Sequence, residues 1–494
     1  MKLSPTLTTA EIRSSVEVLA AESRPDIGDP FKWQDYAGAF GSTVEVLHRR
    51  LDDGRTPRRG QVFRWPKEKG SEYRPMAWLD PIDQLIYRAA IGRVVHPIAA
   101  AMDSDSVISF SLAQRRMGWE MEDWRRRNPA RRKRAKELLS RHHVMGAIDV
   151  KGFYPSIRRS ALESVLGELP LHAPTVEFIL GWLDTLDSLS GIKGLPTGPD
   201  ASGILAHAVL LPLDAMLTRL RVSYVRWVDD TWFFVDDLAE YESIIEAYRR
   251  ELGLLGLELH PTKTQPYLGF EALEVIESSA IQYFGETLND MGSDGLAAAI
   301  RLFEFAMESP EDRKSELRRS LTALTKHRDL TALNVLKSDT DLLRLGIPHW
   351  VAYLRNLLVD KGTRRAVGDD WLLDQITRPV TKDHGYSNLC FLRASSHIQL
   401  KKAEGKQVFD LVCSEGGWSA PVRVWAAHNW GRSDDFSAGT AVEQVEEQGE
   451  YSTRRAFACT LVSKRGTLQM PALVQRIRRA EPELAPTAGW LEAA

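Results

Sequence analysis

Two stretches place ionisable side chains inside runs of the residues that build β-strands. VMGAIDV (144–150) carries Asp149 near its end, and YVRWVDDTWFFV (224–235) is interrupted by Asp229 and Asp230. A carboxylate among Val, Ile, Trp and Phe resists desolvation unless it is paired or coordinated. A divalent metal is the simplest partner for several such groups converging. Mg²⁺ takes hard oxygen ligands, and two ions ~3.5–4 Å apart stabilise both the attacking and the leaving oxygen of a phosphoryl transfer. A bare Asp-Asp pair more often sits on a solvated turn, but here apolar strand residues stand on both sides.

The rest of the chain bounds the setting. Its 494 residues are enough for two to four domains. A composition of 43% hydrophobic and 27% charged residues excludes wholesale disorder and fibrous repeats. The net charge of −3 excludes a globally basic nucleic-acid binder and leaves a local basic patch open. Cys390, Cys413 and Cys459 contain no CxxC pair, which excludes a disulfide scaffold or a four-cysteine zinc site and fits a reducing cytoplasm. The opening MKLSPTLTTAEIRSS lacks the apolar core of a signal peptide. The longest apolar stretch, 203–217, is broken by His207, Pro212 and Asp214 and reads as too short to span a bilayer. The expectation is a soluble, cytoplasmic protein with no membrane partner.

Along the chain, 8–22 and 33–51 read as helices, with Thr8/Thr9 and Asp35 as cap or first-turn residues. QVFRWPK (61–67) and EYRPMAWL (72–79) read as a hairpin, and 81–101 as a helix. RRRNPARRKRAK (125–136) holds basic residues and no acidic one. It is either a solvated helical face or a phosphate-binding surface, where each neutralised phosphate releases counterions. Short strands between helices are expected over 144–270, with 257–270 as strand, turn, strand. Helices follow from about 290, one of them starting at Ser309-Pro310-Glu311-Asp312. GGWSAPVRVWAAHNWGR (416–432) and GEYSTRRAFACTLVSKR (449–465) align at an offset of 33. That is the period of a helical repeat, with an irregular helical domain as the alternative. His142-His143 lack a metal-ligand spacing and read as ordinary core or surface histidines. Trp371, Trp418, Trp425 and Trp430 fit core packing better than base stacking.

Taken together and in order, the palm-like segments resemble a reverse transcriptase. AIDVKGFYPSI (147–157) is similar to that family's first catalytic strand, and GLPTGPDASGILAHAVLLPLD (194–214) to its template-and-nucleotide helix. YVRWVDD (224–230) is similar to its signature turn, GLELHPTKTQPYLGF (256–270) to the lysine-bearing segment, and YRPMAWLDPIDQLIYRAAI (73–91) to a fingers motif. The resemblance covers roughly residues 55–270. It implies an α+β right-hand polymerase, its palm an antiparallel sheet with helices, followed by an all-α, HEAT-like domain. The corresponding boundaries are 1–54 for an N-terminal helical extension, 55–145 for fingers, 146–270 for palm and 271–494 for the C-terminal helical domain.

Carried over position by position, the resemblance assigns two Mg²⁺ ions (with Mn²⁺ as an alternative) to Asp149, Asp229, Asp230 and the backbone of Val150. Val150, Phe153, Tyr154, Thr197 and Gly198 would line the nucleotide. Tyr154 falls where the family places an aromatic ring under the sugar, leaving no room for a 2′-hydroxyl, so dNTPs are favoured. Lys263 matches the lysine that protonates or neutralises the leaving pyrophosphate, general acid help of ~10²–10⁴-fold. Arg74 and Lys67 would grip the triphosphate from the fingers hairpin. Arg131, Arg132 and Arg134 would contact RNA or DNA template-primer. The turn departs from the common YADD in having Trp227-Val228, and Thr197 stands where glutamine is usual. No VTG motif follows the palm, as it would in a retron enzyme, and no zinc-type tail, as in group II intron maturases. A diverged palm before a long helical region is similar to bacterial defence-associated and abortive-infection reverse transcriptases. These imply antiviral DNA synthesis from a 3′-hydroxyl or a protein hydroxyl, frequent homo-oligomers and, in some members, a dedicated noncoding RNA. The rival readings are template-independent terminal transfer on the same palm, a group II intron or retron-type reverse transcriptase, and a catalytically dead nucleic-acid-binding scaffold.

Overall fold

The computed structural model describes residues 7–21, 28–67, 72–113, 118–122, 124–285, 287–379, 385–413 and 418–493. The chain divides into two units, each drawn from separate stretches. The first is 1–18, 47–60 and 79–277; the second is 19–46, 61–78 and 278–494. Helices are interleaved with short antiparallel strands in the first unit, an α+β arrangement. Six strands occur among the described residues: β1 Gln61–Pro66, β2 Tyr73–Trp78, β3 Val144–Ile148, β4 Ser223–Trp227, β5 Asp230–Val235 and β6 Gln265–Leu268.

In the first unit β3 to β6 make one antiparallel sheet in the order β4-β5-β3-β6. Strand β3 is interior and buried at every position, which is why VMGAI shows no polar alternation. Met145, Ala147, Val225, Trp232 and Phe234 pack from one face onto Ala135 and Leu138 of helix Trp124–Leu139, with Ala272 and Ile276 of helix Gly269–Ile276. On the other face Phe233 stacks on Tyr241 of helix Leu238–Leu254, ring centres 5.6 Å apart. Gly146 pairs with Phe233 across the strands, and a Cβ there would lie 2.2 Å from the phenyl ring. Any side chain at 146 would therefore displace that ring.

Contrary to the expectation for 203–217, Asp200–Arg219 is long and apolar enough to span a bilayer, with a mean hydropathy of 1.5 over 18 residues, but 72% of that window is buried within the protein. It breaks at Leu210, just before Pro212, into helices Asp200–Val209 and Leu211–Arg219. Residues 81–101 likewise divide into Pro81–Ile91 and Val95–Ala100. Arg50, buried, joins Asp80 at 2.9 Å and Asp83 at 3.1 Å, fixing the 47–60 stretch to the first of these helices. Burial pushes the Asp83 carboxyl up to about 6 against the pull of Arg50. The strand expected before Lys263 reduces to a single bridge between Val150 and Leu259.

Among the described residues the second unit is helical apart from the β1–β2 hairpin, whose register pairs Gln61 with Trp78 and Trp65 with Arg74. The expected turn residues 68–71 lie outside the described residues. The hairpin is tied to C-terminal helices: Trp78 Nε1 donates to Ser452 Oγ (3.3 Å), and the Ala420 N–H donates to Gln61 Oε1 (2.9 Å). A buried charge cluster joins the ends of the chain. Arg455 forks onto Asp35 at 2.7 and 2.8 Å and onto Asp29 at 2.9 and 3.1 Å, while Thr487 Oγ1 donates to Asp35 at 2.7 Å. Burial alone would raise the Asp35 carboxyl, but the guanidinium beside it holds it below its ordinary value.

Two expectations change here. Ser309 Oγ bonds the Asp312 side chain at 2.9 Å, so 309–312 is a turn and the helix begins at Lys314. In the offset-33 pair, helices start at Ala420 and Tyr451, so Ser419 precedes its helix while Ser452 lies inside. The shared pattern thus marks different helix positions, and Gly416-Gly417 lie outside the described residues. Trp430 is buried in the core, and His142 pairs with Asp236 at 2.9 Å.

Removing one partner of a buried ion pair leaves an uncompensated charge, at a cost of about 3–5 kcal/mol. Arg455→Ala should cost that much in chemical denaturation. Arg476→Ala, which removes an exposed pair with Glu446, should cost under about 1 kcal/mol.

Candidate active site

Antiparallel pairing of β3 with β5 brings the distant acids together. Ile148 pairs with Thr231, so the next residues along the ladder, Asp149 and Asp230, face each other where the strands end. Strands β4 and β5 are joined by Val228 and Asp229 alone, since Trp227 pairs with Asp230. All three aspartates therefore sit at one edge of the sheet. The Asp230 carboxyl shows the effect: crowding by protein atoms pushes it up, Arg131 opposes this, and the charge of Asp149 adds to it.

Each of two carboxylates has a cation on it. The 258–263 segment is pinned along 149–151, with the His260 N–H donating to the Asp149 carbonyl (2.8 Å) and the Lys151 N–H to the Glu258 carbonyl (2.9 Å). The turn that follows carries Lys263, whose Nζ lies 3.1 Å from Asp149 Oδ2. Arg131 Nη2 stands 2.9 Å from Asp230 Oδ2, its guanidinium 3.7 Å from the Trp232 ring centre. These are hard oxygen donors of the kind Mg²⁺ prefers, with positive charge already drawn to them, so their chemistry fits a divalent cation. In the present arrangement no three His, Cys, Asp or Glu side chains among the described residues are close enough to hold one.

The GLPTG turn and Tyr154 also meet. The Leu195 N–H donates to the Tyr154 carbonyl at 2.9 Å. Gly194 has φ +61, and a Cβ there would lie 2.2 Å from that carbonyl oxygen, so both conformation and space require glycine. Gly203, on the following helix, faces the Tyr154 hydroxyl: a Cβ would be 3.7 Å from it. Phe153 is buried with its ring edge-on to Tyr154, and Val150 is buried. Their side chains serve the core, which leaves only their backbone for a ligand. Thr197 and Gly198 remain half-buried beside the start of helix Asp200–Val209.

Other expected residues are placed differently. Arg131 is 7% exposed and turned into the sheet, not outward to phosphates, because Trp232 and Asp230 offer its planar cation a ring face and a carboxylate. Arg132 pairs with Glu277 at 3.6 Å and Arg134 with Glu137 at 3.5 Å, both still partly exposed. Arg74 is exposed, and Lys67 pairs with Glu72 at 2.8 Å on the same hairpin. The reading of the sequence missed Arg226, which is fully buried and binds Asp214. The signal was present: a charge inside an apolar strand, three residues before the Asp-Asp pair.

Residues 65–288 match the family described as "Reverse transcriptase (RNA-dependent DNA polymerase)". Domains of that family use divalent metals such as Mg²⁺. A solved chain titled "RdRp complex" is similar at 12% identity with a TM-score of 0.30, over 98% of this chain and 51% of that one. This chain thus spans about half the length of that structure. A search of curated proteins gives no match.

The buried and exposed arginines of the basic helix should behave differently on substitution. Arg131→Gln should lower unfolding stability by roughly 1–3 kcal/mol, the cost of an unpartnered buried group, and leave the salt slope of nucleic-acid binding unchanged. Arg132→Gln with Arg134→Gln should spare stability and reduce that slope by roughly one unit for each phosphate left without its cation. Denaturation curves and salt titrations against a single-stranded RNA oligomer read both.

Proposed function

We propose that this chain, built around a reverse transcriptase domain over residues 65–288, is an RNA-directed DNA polymerase that adds dNTPs to a 3′-hydroxyl. The observation that carries this reading is the β3–β5 register, which brings the backbones of Asp149, Asp229 and Asp230 to one end of the sheet. Asp149, Asp229 and Asp230, with the Val150 carbonyl, would hold the divalent cations. Bound there, those cations would lower the charge that builds on the attacking and leaving oxygens.

The chain's own groups account for the rest. Lys263, which lies at the Asp149 carboxylate, would give a proton or a positive charge to the leaving pyrophosphate. The Tyr154 carbonyl accepts from the Leu195 N–H, which supports a reading in which its ring would serve as a wall for the sugar. Such a wall excludes a 2′-hydroxyl. Gly198 and the helix after it offer close backbone approach to the nascent pair. Arg132 and Arg134 would meet the template-primer.

The extended all-helical stretch after 290 supports placing the enzyme among defence-associated reverse transcriptases, working in antiphage DNA synthesis, as a homo-oligomer and with a partner RNA. Cys390 and Cys459 are buried free thiols, which suits a reducing cytoplasm.

Primer extension on an RNA template with Mg²⁺ tests the reading. Asp149→Asn and Asp229→Asn should each lower extension by roughly 10³-fold or more, the scale of losing several kcal/mol of transition-state stabilisation. Product unrelated to the template would replace templated synthesis with terminal transfer; unchanged extension in both variants would defeat the assignment. Tyr154→Ala should admit ribonucleotides, read as the ratio of rNTP to dNTP incorporation.

A further inference from the structure

Asp229 and Asp230 hang from a connection whose first residue, Val228, sits at φ 55. That region suits glycine or asparagine. For a β-branched residue it costs of order 1–3 kcal/mol and persists only where the surroundings hold it. Here both backbone polar groups of Val228 are held. Its N–H donates to Ser109 Oγ at 2.9 Å, and its carbonyl accepts from Arg226 Nη1 at 3.0 Å.

The two holding groups are themselves joined. Arg226 Nη1 lies 3.0 Å from His207 Nδ1, and His207 Nε2 lies 3.5 Å from Ser109 Oγ. Arg226, His207, Ser109 and Val228 thus close a ring. A guanidinium only donates, so His207 Nδ1 accepts and the imidazole proton sits on Nε2, directed at Ser109. Burial, with the charge of Arg226 beside it, keeps His207 in that neutral form. Arg226 cannot swing away: its Nε and Nη2 bind both oxygens of Asp214 on helix Leu211–Arg219. The segment bearing Ser109 is laced to the same strand, the Arg226 N–H donating to the Ser106 carbonyl (2.8 Å) and the Ile108 N–H to the Arg226 carbonyl (3.2 Å).

We propose that Ser109, His207, Arg226 and Asp214 form a clamp that fixes the Val228 turn and so sets where Asp229 and Asp230 stand for nucleotidyl transfer. They are positioning residues, and their effect on rate rests on the polymerase reading. In a site that works by placement, an error of about 1 Å costs ~10²-fold. Ser109→Ala is the mild probe, since Ser109 is only part-buried; Ser109→Thr keeps the hydroxyl. Hydrogen exchange at the Val228 amide reads the clamp without any need for activity.

Ser109→Ala should raise Val228 exchange at least tenfold, lower kcat for dNTP addition about 10²-fold and leave the dNTP KM within twofold. Ser109→Thr should restore both exchange and kcat. Wild-type protection of Val228 in Ser109→Ala overturns the clamp, and lost protection with an unchanged kcat overturns its role in positioning. Should the parent chain add no nucleotide, the polymerase reading falls, while lost protection in Ser109→Ala still supports the clamp and retained protection still overturns it.

Discussion

The antiparallel pairing of β3 with β5 is the interaction on which the candidate site depends. Residues about eighty apart in sequence are opposed by a ladder whose period is fixed at two, so slipping it by one residue would turn Met145, Ala147 and Asp149 together from the face packed by helix Trp124–Leu139 to the opposite one. The apolar faces on either side resist that slip. Helix Trp124–Leu139 grips one face through Ala135 and Leu138, and helix Leu238–Leu254 grips the other through Tyr241 and Tyr248. Gly146 belongs to the same constraint, because only a missing side chain lets Phe233 cross β3 at that register. The core therefore sets the position of the acids before any of them binds anything.

Gathering carboxylates has an electrostatic cost, and the fold offsets it locally. Asp149 and Asp230 raise each other's energy as anions, and each has a cation against it: Lys263 from the 258–263 turn and Arg131 from the basic helix. The two cations differ in character. Lys263 is 60% exposed on a flexible stem and is free to follow a ligand. Arg131 is packed flat on Trp232, so its charge is part of the core. The first suits a group that acts during a reaction, the second one that maintains the resting site.

Much of this was legible in the sequence. Val-, Ile- and Trp-rich runs around Asp149, Asp229 and Asp230 pointed to the strands that lie there, and the hairpin at 61–79 was readable from its aromatic and apolar runs on either side of a polar break. Residues whose role depends on facing direction were not. Eight basic residues within 125–136 look alike in sequence, yet Arg131 points into the sheet while Arg132 and Arg134 stay at the surface, a distinction made by a helix period meeting a particular strand face. Partners far apart along the chain were equally hidden. Nothing local to Asp35 announces Arg455, 420 residues away, and nothing near Ser309 tells that its hydroxyl would choose Asp312 over a helix N-terminus.

Arg226 shows why the hidden part matters most beside a reactive site. A buried ion pair with Asp214 contributes little net stability over a hydrophobic pair of the same size, so stability alone does not account for it. What an apolar pair could not do is donate to the Val228 carbonyl and orient His207 at once. The guanidinium has enough N–H groups, in fixed directions, to satisfy a carboxylate, an imidazole and a backbone carbonyl together. An unfavourable φ at Val228 is thereby held by interactions that reach into two helices and a loop. The turn's strain and the buried charge are best understood as one device, since removing either leaves the other without a physical reason to be there.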